Sequence, residues 1–141
     1  MAKKESQASA EVRHHVLEIP IFDRRVLITS APVSEWMSIA YRVIAPENRE
    51  VLVDLEKAYA WTFSENLQYG DTRIHAWILF SQAVTSPIIV HENVHVFEAL
   101  MASCGIEEKD EELRAYFSDW LYWKVSDVVN EWGILDNINR R

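Results

Sequence analysis

The stretch Thr85-Ser86-Pro87-Ile88-Ile89-Val90-His91-Glu92-Asn93-Val94-His95 decides how the rest of the chain is read. Thr85 and Ser86 carry hydroxyls able to accept from the free amides of a helix start, and the fixed φ of Pro87 suits a first helical turn. Val90, Val94, Phe97 and Met101 continue at spacings of three and four, and Gly105 stands where a left-handed residue closes a helix. The spacing predicts one helix from about Thr85 to Gly105. The sequence His91-Glu92-Asn93-Val94-His95, an H-E-x-x-H pattern, falls in its middle.

On such a helix positions i and i+4 share a face, so the imidazoles of His91 and His95 can reach one zinc ion. Glu92, one residue step around, stands beside that ion as a general base. Catalytic zinc usually takes three protein ligands and leaves a fourth position to water. No histidine follows His95, so the long motif with a third histidine on the same segment is absent, and a carboxylate must complete the set. Gly105 to Glu112 is a polar turn rich in acids. After it Leu113, Phe117, Leu121 and Val125 mark a second amphipathic helix, which Glu112 opens. His91, His95 and Glu112 are the candidate ligands. Acids also favour the positive end of any helix, and Asp110 or Glu111 could fill that role as well, so position alone leaves Glu112 evenly balanced between ligand and first-turn acid. Glu98 shares the face of His91 but lies too far along the axis to join an ion held by both histidines. Asp119 is either an outer partner fixing a histidine tautomer or a solvated charge.

From Pro87 through His95, across Gly105-Ile106, to Glu112-Leu113-Arg114-Ala115-Tyr116, the chain resembles a group of small bacteriophage and prophage zincin-like proteins with H-E-x-x-H, of the gluzincin type of metallopeptidase. Members share a buried strand, the motif helix, a Gly-Ile turn and a helix opening with E-x-x-A-Y. The segment Val16 to Phe22 is similar to the start of that group, so the resemblance covers roughly residues 14 to 125, although only the motif helix and the next one are specific. It favours Glu112 over Glu111, because Glu112 is the residue three before Ala115. It implies Zn2+ as cofactor and a peptide or protein as substrate, or else a host or virion protein as partner. The group implies a site more than a biological role.

Composition bounds the alternatives. With 141 residues, 49% hydrophobic and 26% charged, the chain reads as one domain over residues 13–141 behind a flexible polar tail, residues 1–12. A net charge of −8 argues against nucleic acid or an anionic membrane as partner. Acidic mimicry of DNA is disfavoured, because the acids are spread along the chain. Met1 to Ala10 lacks the apolar core of a signal peptide and no stretch is long enough to span a bilayer, so the cytoplasm, or carriage within a particle, is expected. Cys104 is the single cysteine, consistent with a reducing compartment, and reads as packed rather than ligating. Of six tryptophans, most are expected in the core.

The remaining segments predict an α+β fold, with a small antiparallel or mixed sheet packed against about three helices and the motif on a central one. His14 to Ile19 and Arg24 to Thr29 read as a hairpin turning at Asp23. Ser34 to Ile44 reads as a helix capped by Ser34, with Trp36, Ile39, Ala40 and Val43 as its apolar stripe. Glu47 to Lys57 fits helix or strand, with helix slightly favoured. Ala58 to Phe63 and Thr72 to Phe80 read as strands joined by a polar segment. The alternation in Arg73 to Phe80 suggests an edge strand beside the motif helix, able to pair with an extended peptide. His75 on it is then a transition-state helper or, more in keeping with a single unpaired histidine, a polar group on the exposed face. His14 and His15 read as bystanders.

The chemistry so implied is attack by water on a peptide carbonyl, with zinc polarising the centre and Glu92 taking and returning the proton. Tyr116, one turn beyond Glu112, is a candidate donor to the oxyanion, although packing explains it equally well. Three classes remain open: a zinc peptidase, a metal-stabilised module that captures a host or phage protein, and an assembly protein with a vestigial motif.

Overall fold

The computed structural model describes residues 11–43, 60–63, 67–105 and 111–136. The chain is α+β: the described residues form a four-stranded mixed sheet, two small two-stranded pairings and three helices. The helix-or-strand question over Glu47 to Lys57 falls outside these residues, as does most of the expected tail.

Strands β1, Arg13–Ile19, and β2, Arg24–Ser30, form the expected antiparallel hairpin, running from Arg13 opposite Ser30 to Ile19 opposite Arg24. A 3-10 turn, Pro20–Phe22, and Asp23 in the left-handed region at φ 51° reverse the chain. Aspartate tolerates that conformation better than most residues, which is why it stands there. Helix α1, Val33–Val43, starts one residue before Ser34, so Ser34 lies within the helix rather than at its cap. The expected stripe holds for Trp36, Ile39 and Ala40, all buried, and the Trp36 indole donates to the carbonyl of Ala31 at 2.9 Å.

Strands β3, Ala60–Phe63, and β6, Ala76–Phe80, bracket a hairpin in which β4, Leu67–Tyr69, falls in the segment expected to be a polar connector and pairs with β5, Thr72–Ile74, about Gly70 at φ 62°. The expected single strand Thr72 to Phe80 is therefore two, broken at His75. The sheet order is β1-β2-β6-β3. Strand β6 runs parallel to β2 and antiparallel to β3, so it is interior, which corrects the expectation that it forms the edge. All five residues of β6 are buried, as a strand covered on both faces requires. Among the described residues the sheet edge beside the motif helix is β3.

The motif helix, α2, Ser86–Cys104, and helix α3, Glu111–Glu131, pack on one side of the sheet. Their core joins Val26, Ile28, Ile78 and Phe80 from the sheet to Ile89, Val96, Phe97 and Leu100 of α2 and Phe117, Leu121 and Val125 of α3. The other face of the sheet buries Leu27, Trp77 and Leu79 against Trp36 and Ile39 of α1. A short parallel pairing of β7, Val84–Thr85, with β8, Leu135–Asp136, ties the start of α2 to the segment after α3. No helix among the described residues is long and apolar enough to cross a membrane.

Candidate metal centre

Helix α2 starts and stops as its sequence predicts. Thr85 Oγ1 accepts from the amide of Ile88 at 3.4 Å, Pro87 occupies the first turn, and Gly105 at φ 69° returns its amide to Ala102 and Met101. Ile89, Val96, Phe97 and Leu100 anchor the inner face. That anchoring fixes the rotation of the helix, and with it the outward aim of the motif.

The imidazoles of His91 and His95 lie together, their ring centres 5.2 Å apart and the planes at 75°. Both are open, with 71% and 50% of their side chains exposed. Two imidazoles sharing a tetrahedral ion at metal–nitrogen bonds of about 2.1 Å have ring centres about 5 Å apart, so the spacing of the pair is compatible with a shared ion. Glu92 is different in kind. Its side chain is only 7% exposed, and one carboxylate oxygen accepts from the hydroxyl of Thr62 on β3 at 2.7 Å. The other oxygen stands 3.9 Å from Nε2 of His91. A buried carboxylate needs such a donor, because taking the charge from water without one is costly.

These three side chains open onto one cavity of about 540 Å³ between β3 and the first half of α2. Ala60 and Trp61 on the strand and Pro87 and Ile88 on the helix give it apolar walls. Its polar lining comes from both walls: Thr62 on the strand and His91, Glu92 and His95 on the helix.

The other predicted residues are placed as follows. Glu112 is exposed in the first turn of α3. Among the described residues no group of three His, Cys, Asp or Glu side chains is placed to hold an ion. Glu98, disfavoured as a ligand, comes within 3.8 Å of Nδ1 of His95, where it can orient that ring. Asp119 and Tyr116 line a separate groove along α3, and neither lines the cavity with His91. The outer-partner role for Asp119 and the oxyanion-donor role for Tyr116 thus find no support in this arrangement.

His75 corrects both readings offered for it. It is buried at the break between β5 and β6, where its Nδ1 accepts from the amide of Arg25 at 3.2 Å and its own amide donates to the Arg25 carbonyl at 2.9 Å. Burial, and then the positive charges of Arg24, Arg73 and Arg25, hold its pKa below the ordinary 6.5. It locks the β2–β5 junction and faces no cavity of the motif. His14 contacts Thr29 Oγ1 at 2.8 Å, the same oxygen that receives the Trp77 indole N–H at 2.8 Å, a structural use that fits a bystander to the site. Cys104 is half-buried at the end of α2.

Sequence reasoning missed Thr62 and Trp61. No spacing rule links a strand residue to a carboxylate thirty positions later; only the β3–β6 pairing beneath α2 brings them together. No family model, curated protein or solved structure matches this chain.

Proposed function

We propose that the cleft between β3 and α2 is the site of a zinc-dependent metallopeptidase, with His91 and His95 as ligands, Glu112 as the third ligand and Glu92 as general base. The observation that carries this reading is Glu92, a buried carboxylate clamped by Thr62 and 3.9 Å from His91, whose imidazole lies against that of His95. A purely structural zinc has no use for that carboxylate. Zinc, when bound, supplies a Lewis acid and lowers the pKa of water at the centre. The protein's own groups do the rest. Glu92 keeps one oxygen in the Thr62 hydrogen bond and has the other free to take a proton from the attacking water and deliver it to the leaving amine.

The position of β3 suggests how a peptide is held. Among the described residues β3 pairs with β6 alone, so its outer rim can add an extended strand by backbone hydrogen bonds. Such a peptide would run past His91 and His95 with its side chains meeting Trp61 and Ile88.

One observation favours a second reading. Because no third donor joins the histidine pair among the described residues, the same cleft also suits a catalytically silent protein that captures a host or virion protein along β3. Metal content and cleavage separate the two. The peptidase reading expects one zinc per chain after chelator-free purification, loss of that zinc in His91→Ala and a reduced content in Glu112→Ala. It also expects cleavage of an unstructured peptide library that falls about 100-fold or more in Glu92→Ala with zinc retained. Full zinc in Glu112→Ala would remove that residue from the site, and zinc without cleavage would leave the silent reading.

A further inference from the structure

Helix α3 carries two apolar stripes: the fold buries one, and of the other it packs Leu113 and Trp120 partly against the core while leaving Tyr116 and Trp123 exposed. Phe117, Leu121, Val125 and Val129 are buried against α2 and the sheet. A second series, Leu113, Tyr116, Trp120 and Trp123, repeats at spacings of three, four and three along another side, the spacing of a helix–helix seam. It covers about 15 Å of helix, at 1.5 Å per residue. Tyr116 is 74% exposed and Trp123 is 59% exposed. Isolated exposed leucines are ordinary, but large aromatics aligned on one face mark a contact surface.

The stripe lines a groove of about 690 Å³, whose far wall is Pro20 and Phe22 from the β1–β2 turn. It shares no residue with the cavity at His91. Its charged lining is two carboxylates and one ammonium, that of Lys124. Asp119 and Asp127 line it, and neither makes an ion pair within 4.0 Å among the described residues. The two cations of α3 are folded onto the protein's own rings: Lys124 lies 5.7 Å from the centre of Trp120, and Arg114 5.3 Å from that of Phe97. Each cation is thus engaged by a ring face, while the two carboxylates have no ion-pair partner among the described residues. A second copy of this chain is a poor occupant, since it would bring the same carboxylates and a net charge of −8 to the seam.

We infer that this groove docks a basic amphipathic helix of another protein, its aliphatic or aromatic side chains seated between Tyr116, Trp120 and Trp123 and its Lys or Arg residues paired with Asp119 and Asp127. Aromatic anchors flanked by unpaired charges supply affinity and orientation, respectively. The inference does not depend on whether the His91 cleft binds metal.

The test uses the full chain and three synthetic 18-residue probes: a Leu/Lys helix with leucines at three-four spacing, a twin with every Lys replaced by Glu, and a scrambled Leu/Lys peptide without the stripe. Titration calorimetry should show the ordered Leu/Lys helix binding at least ten times more tightly than either control, and more weakly as salt rises. Trp123→Ala should weaken it at least tenfold. Asp119→Asn with Asp127→Asn should weaken it severalfold and flatten the salt dependence. Tyr116→Ala, at a still more exposed position, provides the same test should Trp123→Ala fail to fold by circular dichroism. Unchanged affinity in the folded aromatic variant, equal binding of the scrambled or Glu peptide, or no binding at all would overturn the inference. So would sedimentation showing a dimer that Trp123→Ala dissolves, which would assign the face to a second copy.

Discussion

Helices α2 and α3 share one interface, yet their outward faces are opposites. α2 turns imidazoles and a carboxylate into a cleft whose other wall is a sheet edge. α3 turns aromatic rings into a groove whose other wall is the β1–β2 turn. The inner faces do similar work: Phe97 of α2 and Phe117 of α3 lie 5.7 Å apart, ring centre to ring centre, and Phe22 meets Phe117 edge-on at 5.4 Å. Stability therefore resides in what the helices have in common, and recognition or chemistry in what distinguishes them. Substitutions along the two faces should separate accordingly.

The largest effect belongs to the shared interface. Phe117→Ala removes a buried ring that contacts Phe22, Phe97 and Trp120, and should cost about 3–5 kcal/mol in urea unfolding. A loss below about 1 kcal/mol would mean that the two helices do not depend on one another as described.

Next comes the clamp that makes the α2 face unlike the α3 face. Thr62→Val keeps the shape of the side chain but withdraws the donor from a buried carboxylate, and should destabilise by about 1–3 kcal/mol. Thr62→Ser should recover most of that loss, because the hydroxyl is what matters. His91→Ala, at an exposed side chain, should alter metal-free stability by no more than about 0.5 kcal/mol while abolishing zinc uptake. A Thr62→Val variant as stable as wild type would show that Glu92 finds another donor.

Neither helix face contains His75, and its contribution is smaller and tied to pH. A histidine whose folded-state pKa is depressed below 6.5 stays neutral in the fold, while the unfolded chain takes up a proton as pH falls through that value. Stability is thus full above about 6.5 and declines below it, until the folded-state pKa is also passed. Each unit of depression corresponds to about 1.4 kcal/mol. Unfolding free energies at pH 7.5 and 5.5 should diverge less in His75→Gln than in wild type. An identical pH dependence would place the burden elsewhere.

How far the sequence could be read follows the range of the interactions. The motif helix was legible at both ends because a cap hydroxyl at Thr85, a first-turn proline and a left-handed glycine act within a few residues of where they stand. The β1–β2 hairpin was legible at Asp23 for the same reason. Strand order was not. The apolar run Trp77-Ile78-Leu79-Phe80 fits an interior strand better than an edge, but which strand takes the edge depends on pairings as distant as Val26 with Ala76. The turn at Gly70 was overlooked because strands of three residues are too short to show a period. At the site, His91, Glu92 and His95 follow from helical geometry alone. Thr62 depends on a tertiary contact, and Glu112 on the path between two helices.

Tyr116 puts the contrast between the two faces to its finest test. Its sequence setting, one turn after Glu112, suggested a hand in oxyanion stabilisation, whereas in the fold it belongs to the aromatic stripe of α3 and lines a groove that His91 does not share. Because the ring is 74% exposed, Tyr116→Ala forfeits little burial and should shift stability by no more than about 0.5 kcal/mol. It should also leave zinc uptake by the His91 and His95 pair at the wild-type level while reducing the affinity of a basic amphipathic helix. Reduced zinc uptake in a Tyr116→Ala chain of unchanged stability would join the two faces into one site; an intact zinc level would keep them as two surfaces on a single core.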